Sequence, residues 1–309
     1  MRQETPSIVV VGSVNRDLVT VLKRMPAGGE TVHARDFLQS HGGKGANQAV
    51  AAARLGAKVA LVAKVGGDVF GADALANFRA AGIDTTHVGE LPDKPTGTAT
   101  ILVEPDGENR IMIVAGANGA LTPADVEAAA DTIAEARLVL LQLEVPMETV
   151  AAALAVAARV GTPVCLNPAP APDSLDAGLI GPALRFVVPN RGELALLTGM
   201  PTETEADLAA AARALLARGV GAVVVTLGAG GALLVEGEGE PRRFAAASVR
   251  ALDTTGAGDA FIGAFAARFV HDGDVEAAIR NAAAFAGLSV TRQGAQASYP
   301  AMALSDLGD

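Results

Sequence analysis

The sequence predicts an α/β protein: a mostly parallel sheet with helices on both faces, and a separate small sheet beside it. Three observations carry that prediction. Short β-branched or apolar runs alternate with longer alanine-rich segments of helical period. The runs are continuously apolar rather than alternating, as in strands buried on both faces. Two segments, 15–40 and 96–115, break the rhythm with β-like patterns and turn residues but no intervening helix.

Taken in order, strands are expected at Ile8 to Val11, Val59 to Val62, Leu138 to Leu141, Val164 to Leu166, Phe186 to Val188, Ala222 to Thr226 and Ala232 to Val235. Helices are expected between them, over 44–55, 71–81, 123–135, 147–160, 204–218, 259–270 and 274–291. Thr122-Pro123 is a strong helix start, a hydroxyl at N-cap and a proline at N1. Gly161 and Gly219 follow helical segments where a left-handed residue is expected. The irregular segments turn at Pro26-Ala27-Gly28-Gly29 and at Asp106-Gly107-Glu108-Asn109. They are expected to form a lid over the C-terminal edge of the main sheet, where ligands bind in open α/β folds. Residues 1–309 then make a single domain with the lid segments inserted in it.

Composition narrows the function. Half of the 309 residues are hydrophobic, so a large core is available. There is no Trp and one Tyr, and alanine does much of the filling, which favours helices packed closely on a sheet. A formal charge of −10 argues against duplex nucleic acid or an anionic membrane as the main partner, though not against a nucleotide. The single cysteine, Cys165, lies in the apolar run Pro163-Val164-Cys165-Leu166 and reads as a buried strand residue. No N-terminal basic and apolar signal pattern appears, and a cytoplasmic protein is expected.

Chemistry concentrates in two motifs. In Asp253-Thr254-Thr255-Gly256-Ala257-Gly258-Asp259-Ala260-Phe261, small residues precede a helix marked by Phe261, Phe265 and Phe269. The N–H groups at such a helix start lack intrahelical acceptors, and with the helix dipole they suit a phosphate. Asp259 on the same turn either caps the helix or handles a proton beside the bound anion. In Gly42-Gly43-Lys44-Gly45-Ala46-Asn47-Gln48-Ala49, the glycines allow close approach, and Lys44 and Asn47 share a helix face. A cation and a carboxamide there suit a polyhydroxylated or anionic ligand; a solvated surface turn is the alternative. The segment is not a Walker A loop, because Gly45 follows Lys44. Gly228-Ala229-Gly230-Gly231-Ala232-Leu233 lacks the last glycine of a dinucleotide fingerprint, which removes the main support for a Rossmann dehydrogenase.

Together the two motifs resemble the paired signatures of the ribokinase family of carbohydrate kinases. The resemblance extends to Gly12-Ser13-Val14-Asn15-Arg16-Asp17, Leu141-Gln142-Leu143-Glu144, Asn167-Pro168-Ala169-Pro170-Ala171 and Pro189-Asn190-Arg191-Gly192-Glu193. Thr226-Leu227-Gly228 and Thr291-Arg292-Gln293-Gly294-Ala295-Gln296 complete the series, so nearly the whole chain is covered. Gly42 to Asn47 and Gly116-Ala117-Asn118 are closer to the ribokinase branch than to fructokinases, ketodeoxygluconate kinases or adenosine kinases. The fold implied is a three-layer α/β/α sandwich with a small antiparallel β-sheet lid.

The activity implied is ATP-dependent phosphorylation of D-ribose at O5. By resemblance the sugar is held by Asn15, Asp17, Gly43, Lys44, Asn47 and Glu144, with Asp259 as base at the reacting hydroxyl. Carboxylates and carboxamides suit the fixed hydroxyls of a sugar. The backbone of Gly256, Ala257, Gly258 and Asp259 would form an anion hole for the transferred phosphoryl group. Asn190, Thr226, Gly228, Gly231 and Gly258 would meet ATP. Asn190 and Glu193 would organise Mg²⁺ and its waters, with Glu193 as a first-turn helix acid the alternative. A K⁺ ion is implied near Asp253, Thr255, Ser289, Arg292, Gly294 and Ser298. Where Ala283 stands, many relatives carry a polar residue, which leaves open whether Asn281 substitutes in adenine recognition. His41 either touches the sugar or is solvated. A homodimer through the lid is implied. The rivals are a related kinase of 2-deoxyribose, fructose or a nucleoside, and a non-catalytic sugar or nucleotide sensor.

Overall fold

The computed structural model describes residues 7–105, 108–171 and 177–308. The Asp106-Gly107 half of the second expected lid turn lies outside them. β1 (Ile8–Val11) is wholly buried, and its alternation sets the layers. Ile8 and Val10 enter one core and Val9 and Val11 the other, so both faces of the sheet need cover. From β1 the chain enters the lid as β2 (Asn15–Val21) and β3 (Asp36–Gly42). It returns through α1 (Lys44–Arg54), β4 (Val59–Gly66), α2 (Val69–Ala80) and β5 (Val88–Leu91). A second lid hairpin follows, β6 (Gly97–Val103) and β7 (Asn109–Val114). Next come α3 (Pro123–Ala128), α4 (Ala130–Glu135), β8 (Leu138–Leu141), α5 (Met147–Val160), β9 (Val164–Leu166) and β10 (Leu184–Val187). The rest is α6 (Arg191–Thr198), α7 (Glu205–Leu216), β11 (Ala222–Thr226), β12 (Ala232–Glu236), β13 (Arg242–Phe244), α8 (Ala257–Asp272) and α9 (Val275–Ser289).

The main sheet has the order β13-β12-β11-β10-β9-β8-β1-β4-β5. It is parallel from β11 to β5, and β12 pairs antiparallel with both of its neighbours. Helices α1, α2, α8 and α9 fill the core on one face, and α3 to α7 fill the other. This is the expected three-layer α/β/α sandwich. Cys165 is fully buried in β9, and burial pushes its thiol up to about 12, so it is a packing residue. No helix among the described residues is long and apolar enough to cross a membrane.

Several elements differ from the sequence-based expectation. The helix expected over 123–135 is two helices, because Ala129 (φ −96°, ψ 7°) bends the chain and brings Val126, Ala129 and Ile133 into one core. The strand expected at Phe186 to Val188 runs over Leu184–Val187. α6 was not among the expected helices; only Leu194 of its eight residues is buried, too weak a period to read. β5 and β13 were also missed, being short and largely polar.

The lid is a four-stranded sheet of order β3-β2-β6-β7. Its outer pairs are antiparallel, as expected of two hairpins. Its central pair, β2 with β6, is parallel from Asn15 opposite Gly97 to Val21 opposite Val103. Both hairpins leave the body with their first strand outward, so those two strands meet running the same way.

Candidate active site

In the main sheet the connections diverge at β1 and β8, one leading toward β4 and the other toward β9, and such a switch point opens a crevice at the strands' C-terminal ends. Ser13, just past β1, donates its hydroxyl to Glu144 Oε2 at 2.6 Å, just past β8. The backbone N–H of Lys44, opening α1, donates to the same oxygen at 3.0 Å. Glu144 is thereby fixed across the crevice while its second oxygen stays available.

The lid supplies the facing wall. Asn15 and Asp17 are two apart on β2, so both point inward, and both are buried. Asn15 Oδ1 accepts from Asn118 Nδ2 at 2.7 Å, and Asn118 also pairs with the backbone of Val14 in both directions, at 2.8 and 3.0 Å. Space for these groups comes from glycine. A Cβ on Gly42 would overlap the Asp17 carboxylate, and one on Gly97 would overlap the Asn15 and Asn118 carboxamides. Asp17 is only 7% exposed, and its carboxyl accepts no hydrogen bond from the described residues. Burial, reinforced by Glu144 and Asp259, pushes its pKa up to about 7 against the opposing charge of Arg16. Lys44 is deeply set in the same crevice. Burial works against its charge, but the fields of Asp259, Glu144 and Glu193 outweigh it and raise its pKa.

Asp259 decides what this crevice can do. It lies on the first turn of α8, yet no side-chain capping bond closes that helix. Instead Asp259 Oδ2 accepts from Asn47 Nδ2 at 2.9 Å and Oδ1 from Gln48 Nε2 at 3.1 Å. The capping alternative therefore falls. The N–H groups of Gly258 and Asp259 find no acceptor among the described residues, whereas Ala257 N–H donates to Thr254 O at 3.2 Å. Gly256 takes φ +72°, and a Cβ there would sit 2.6 Å from the Tyr299 hydroxyl, which donates to Gly256 O at 2.8 Å. Tyr299 is fully buried; that burial, with the fields of Asp259 and Asp17, raises its pKa well above the usual phenol value.

Beyond Gly258 opens a cavity of about 270 Å³ lined by Thr226, Gly228, Gly231, Ala257, Gly258 and Ala283, among others. A chain of small residues leaves a flat apolar slot beside the helix N-terminus, as an adenine and its phosphates require. Asn281 does not line it: its carboxamide donates to Gly308 O at 2.6 Å. Asn281 ties α9 to the C-terminal segment, and Ala283 is the residue of that pair that lines the cavity.

Asn190 and Glu193 form a reciprocal capping box on α6. Asn190 Oδ1 accepts from Glu193 N–H, and Glu193 Oε2 from Asn190 N–H, both at 2.8 Å. Burial raises the Glu193 pKa, opposed by the Asn190 N–H bond and the charge of Lys44. Its Oε1 accepts no hydrogen bond from the described residues, and the carboxyl feels the charges of Lys44 and Asp259. No group of three or more His, Cys, Asp or Glu among the described residues could hold a metal by itself. Both side chains serve the helix start, and the Glu193 oxygen left over from the capping box is a hard donor of the kind that can order the waters of a hydrated divalent cation.

Asp253 joins the loops at the proposed cation site. Its carboxylate accepts from Thr255 N–H at 2.9 Å and Gly294 N–H at 2.8 Å. Burial opposes ionisation there, and those two bonds outweigh it, so its pKa is lowered. Ser289 and Ser298 spend their hydroxyl protons on Ala286 O and Ala295 O, and Arg292 N–H donates to Ser289 O at 3.2 Å.

Of the sequence-predicted residues, Asn15, Asp17, Lys44, Asn47, Glu144 and Asp259 lie around this crevice, and Thr226, Gly228, Gly231 and Gly258 line the neighbouring cavity. His41 turns to α2, its Nε2 3.6 Å from Asp73 Oδ2, which also pairs with Arg16 at 2.6 Å. Ser13, Gln48, Asn118, Gln142 and Gln296 had no assigned role. All five are buried polar side chains whose partners lie on distant segments of the chain.

The profile of the pfkB family of carbohydrate kinases matches residues 5–302. The deoxyribokinase of Salmonella typhi is 45% identical over 295 residues, 96% of each chain. The ribokinase of Mus musculus is 41% identical over 301 residues, covering 96% of this chain and 93% of that one. The structure of Arabidopsis thaliana ribokinase complexed with ribose and ATP superposes with a TM-score of 0.89 at 34% identity, over 98% of this chain and 97% of that one. The match over nearly the whole chain and the shared fold lead to one conclusion: this chain belongs to the pfkB family of carbohydrate kinases and phosphorylates a sugar.

Proposed function

We propose that the protein transfers the γ-phosphoryl group of ATP to O5 of D-ribose, giving D-ribose 5-phosphate and ADP. One observation carries the reading: Asp259 is a buried carboxylate held between the polar crevice and two uncommitted N–H groups. The crevice offers a sugar the free oxygens of Asp17 and Glu144, the carboxamides of Asn15 and Asn47, and the Lys44 ammonium beside Gly43. Asp259 orients the O5 hydroxyl. As the O5–P bond forms, Asp259 accepts the hydroxyl proton, and the bridging oxygen leaves with ADP, keeping the bonding pair. An ordinary carboxylate suffices, since the hydroxyl becomes acidic only as that bond forms. Within the 256–259 backbone, the N–H groups of Gly258 and Asp259 stabilise the charge on the moving phosphoryl group.

ATP would lie along Asn190, Thr226, Gly228, Gly231 and Gly258. Mg²⁺, held on the phosphates with Asn190 and Glu193 ordering its waters, would neutralise charge on the phosphates. K⁺ among Asp253, Thr255, Ser289, Arg292, Gly294 and Ser298 would stiffen the loop that precedes α8. Its proposed compartment is the cytoplasm, where ATP is abundant. The lid also carries exposed Phe37, Leu38, Ile111, Met112, Ile113 and Val114. Such an apolar edge suits pairing with a second copy through the lid.

A second reading is 2-deoxyribose as the preferred acceptor, favoured by the 45% identity to a deoxyribokinase. The two sugars differ by one hydroxyl, which the same crevice would meet. The test is ADP formation with MgATP over D-ribose, 2-deoxyribose, fructose, ketodeoxygluconate, adenosine and cytidine, with and without potassium. Ribose-dependent turnover that falls by at least about 100-fold in Asp259→Asn supports the assignment. Turnover with 2-deoxyribose alone transfers it to the second reading, and folded protein inactive on every sugar refutes both.

A further inference from the structure

The amide side chains around Asp259 form two arms with a single polarity. In one, Asn77 Nδ2 donates to Gln296 Oε1 (2.8 Å), Gln296 Nε2 to Asn47 Oδ1 (3.0 Å), and Asn47 Nδ2 to Asp259 Oδ2 (2.9 Å). In the other, Gln142 Nε2 donates to Gln48 Oε1 (2.6 Å), and Gln48 Nε2 donates to Asp259 Oδ1 (3.1 Å) and, at greater length, to Asn167 Oδ1 (3.3 Å). An ionised carboxylate only accepts, so each neighbouring amide must turn its N–H inward and its carbonyl outward. That choice propagates along both arms. In the second arm the supply of donors runs out. Gln142 Oε1 is the one buried side-chain nitrogen or oxygen among the described residues with no partner. The polarity of this arm is therefore set from the Asp259 end, where the carboxylate demands a donor.

The backbone is shaped to permit this arm. Asp259 and Gly263 are four apart on α8 and share the face that meets α1. A Cβ on Gly263 would stand 2.6 Å from Gln48 O and 3.0 Å from Ala52 N. Any larger residue would push α1 away and withdraw Gln48 from the carboxylate.

Resting on the reading of Asp259 as base, we propose that Gln48 is the positioning residue for that base, with Gln142 acting on it only through Gln48. The amide holds the carboxylate against rotation, so its remaining lone pairs face the sugar hydroxyl. Neither glutamine is placed among the sugar or nucleotide contacts. Binding of both substrates is then independent of them, while the rate of transfer is not.

The experiment is steady-state kinetics of Gln48→Met, Gln142→Met and the double variant, with thermal unfolding of each and Asp259→Asn alongside. Losing one hydrogen bond to a charged group predicts that kcat of Gln48→Met falls about 10- to 100-fold. The KM values for sugar and ATP should stay within about threefold. Gln142→Met should lose about two- to fivefold in kcat, and the double variant should be no slower than Gln48→Met. Additive losses, or an unchanged kcat in either folded single variant, overturn the proposal. Gln142→Met alone carries the test if Gln48→Met does not fold. An active Asp259→Asn would instead overturn the reading of the base, a separate outcome.

Discussion

Asp17 offers a sharp test of the electrostatics, because its role in the fold and its role in the site oppose each other. Unfolded, it titrates near the ordinary value of 3.8; folded, its pKa is about 7, chiefly through burial and then through Glu144 and Asp259. Between those values the folded chain holds a proton that the unfolded chain has released. The stability this gives is full below the lower value and is lost as pH rises through the upper one. Each pH unit of displacement is worth about 1.4 kcal/mol, so the whole change is about 4 kcal/mol. About 3 kcal/mol of it falls between about pH 5 and pH 8.5. Asp17→Asn removes the titration while keeping the size, so the variant should lack that decline and be the more stable protein at high pH. Urea unfolding of both proteins at the two pH values reads the difference directly. Sugar hydroxyls donating to the carboxylate favour its charged form, so saturating D-ribose should flatten the wild-type decline. Equal pH sensitivity in wild type and variant would refute the assignment of a proton to Asp17.

Three further outcomes are expected. Gly97→Ala inserts a methyl group into the Asn15 and Asn118 carboxamides, so the sugar KM should rise at least about tenfold with the ATP KM unchanged; a change confined to ATP would place those residues elsewhere. Tyr299→Phe removes the donor to Gly256 O and should cost about 1 to 2 kcal/mol in unfolding experiments, together with a lower kcat. Ile111→Asp places a charge on the exposed apolar edge of β7, and light scattering should show the molecular mass halved if two copies pair there.

What the sequence revealed follows from how residue type reports environment. β1, β8 and β11 were legible because a strand buried on both faces must be apolar throughout. The start of α8 was legible because Gly256 is forced by the positive φ and by Tyr299. α6 was not, since its start is fixed by the Asn190–Glu193 capping box and only Leu194 is buried. The parallel centre of the lid was invisible too: pairing between β2 and β6 depends on how both hairpins leave the body, not on either segment. In the site, charged and small residues announced themselves. Gln48 and Gln142 did not, because their part is to orient another side chain through contacts formed only after α1, α8 and β8 have assembled.

The lid is a single layer, and that has a consequence for how substrate choice can change. On β2, Asn15 and Asp17 face the crevice while Arg16 and Leu18 face away. Arg16 grips Asp73 and lies 5.5 Å over the Phe70 ring, both on α2. No second layer cushions one face from the other. A substitution at Arg16 that breaks its hold on α2 is therefore expected to reach Asn15 and Asp17 through the shared strand, without touching any ligand. Sugar preference becomes an address reachable from outside the pocket, and selection on whatever covers that surface is also selection on what the enzyme phosphorylates.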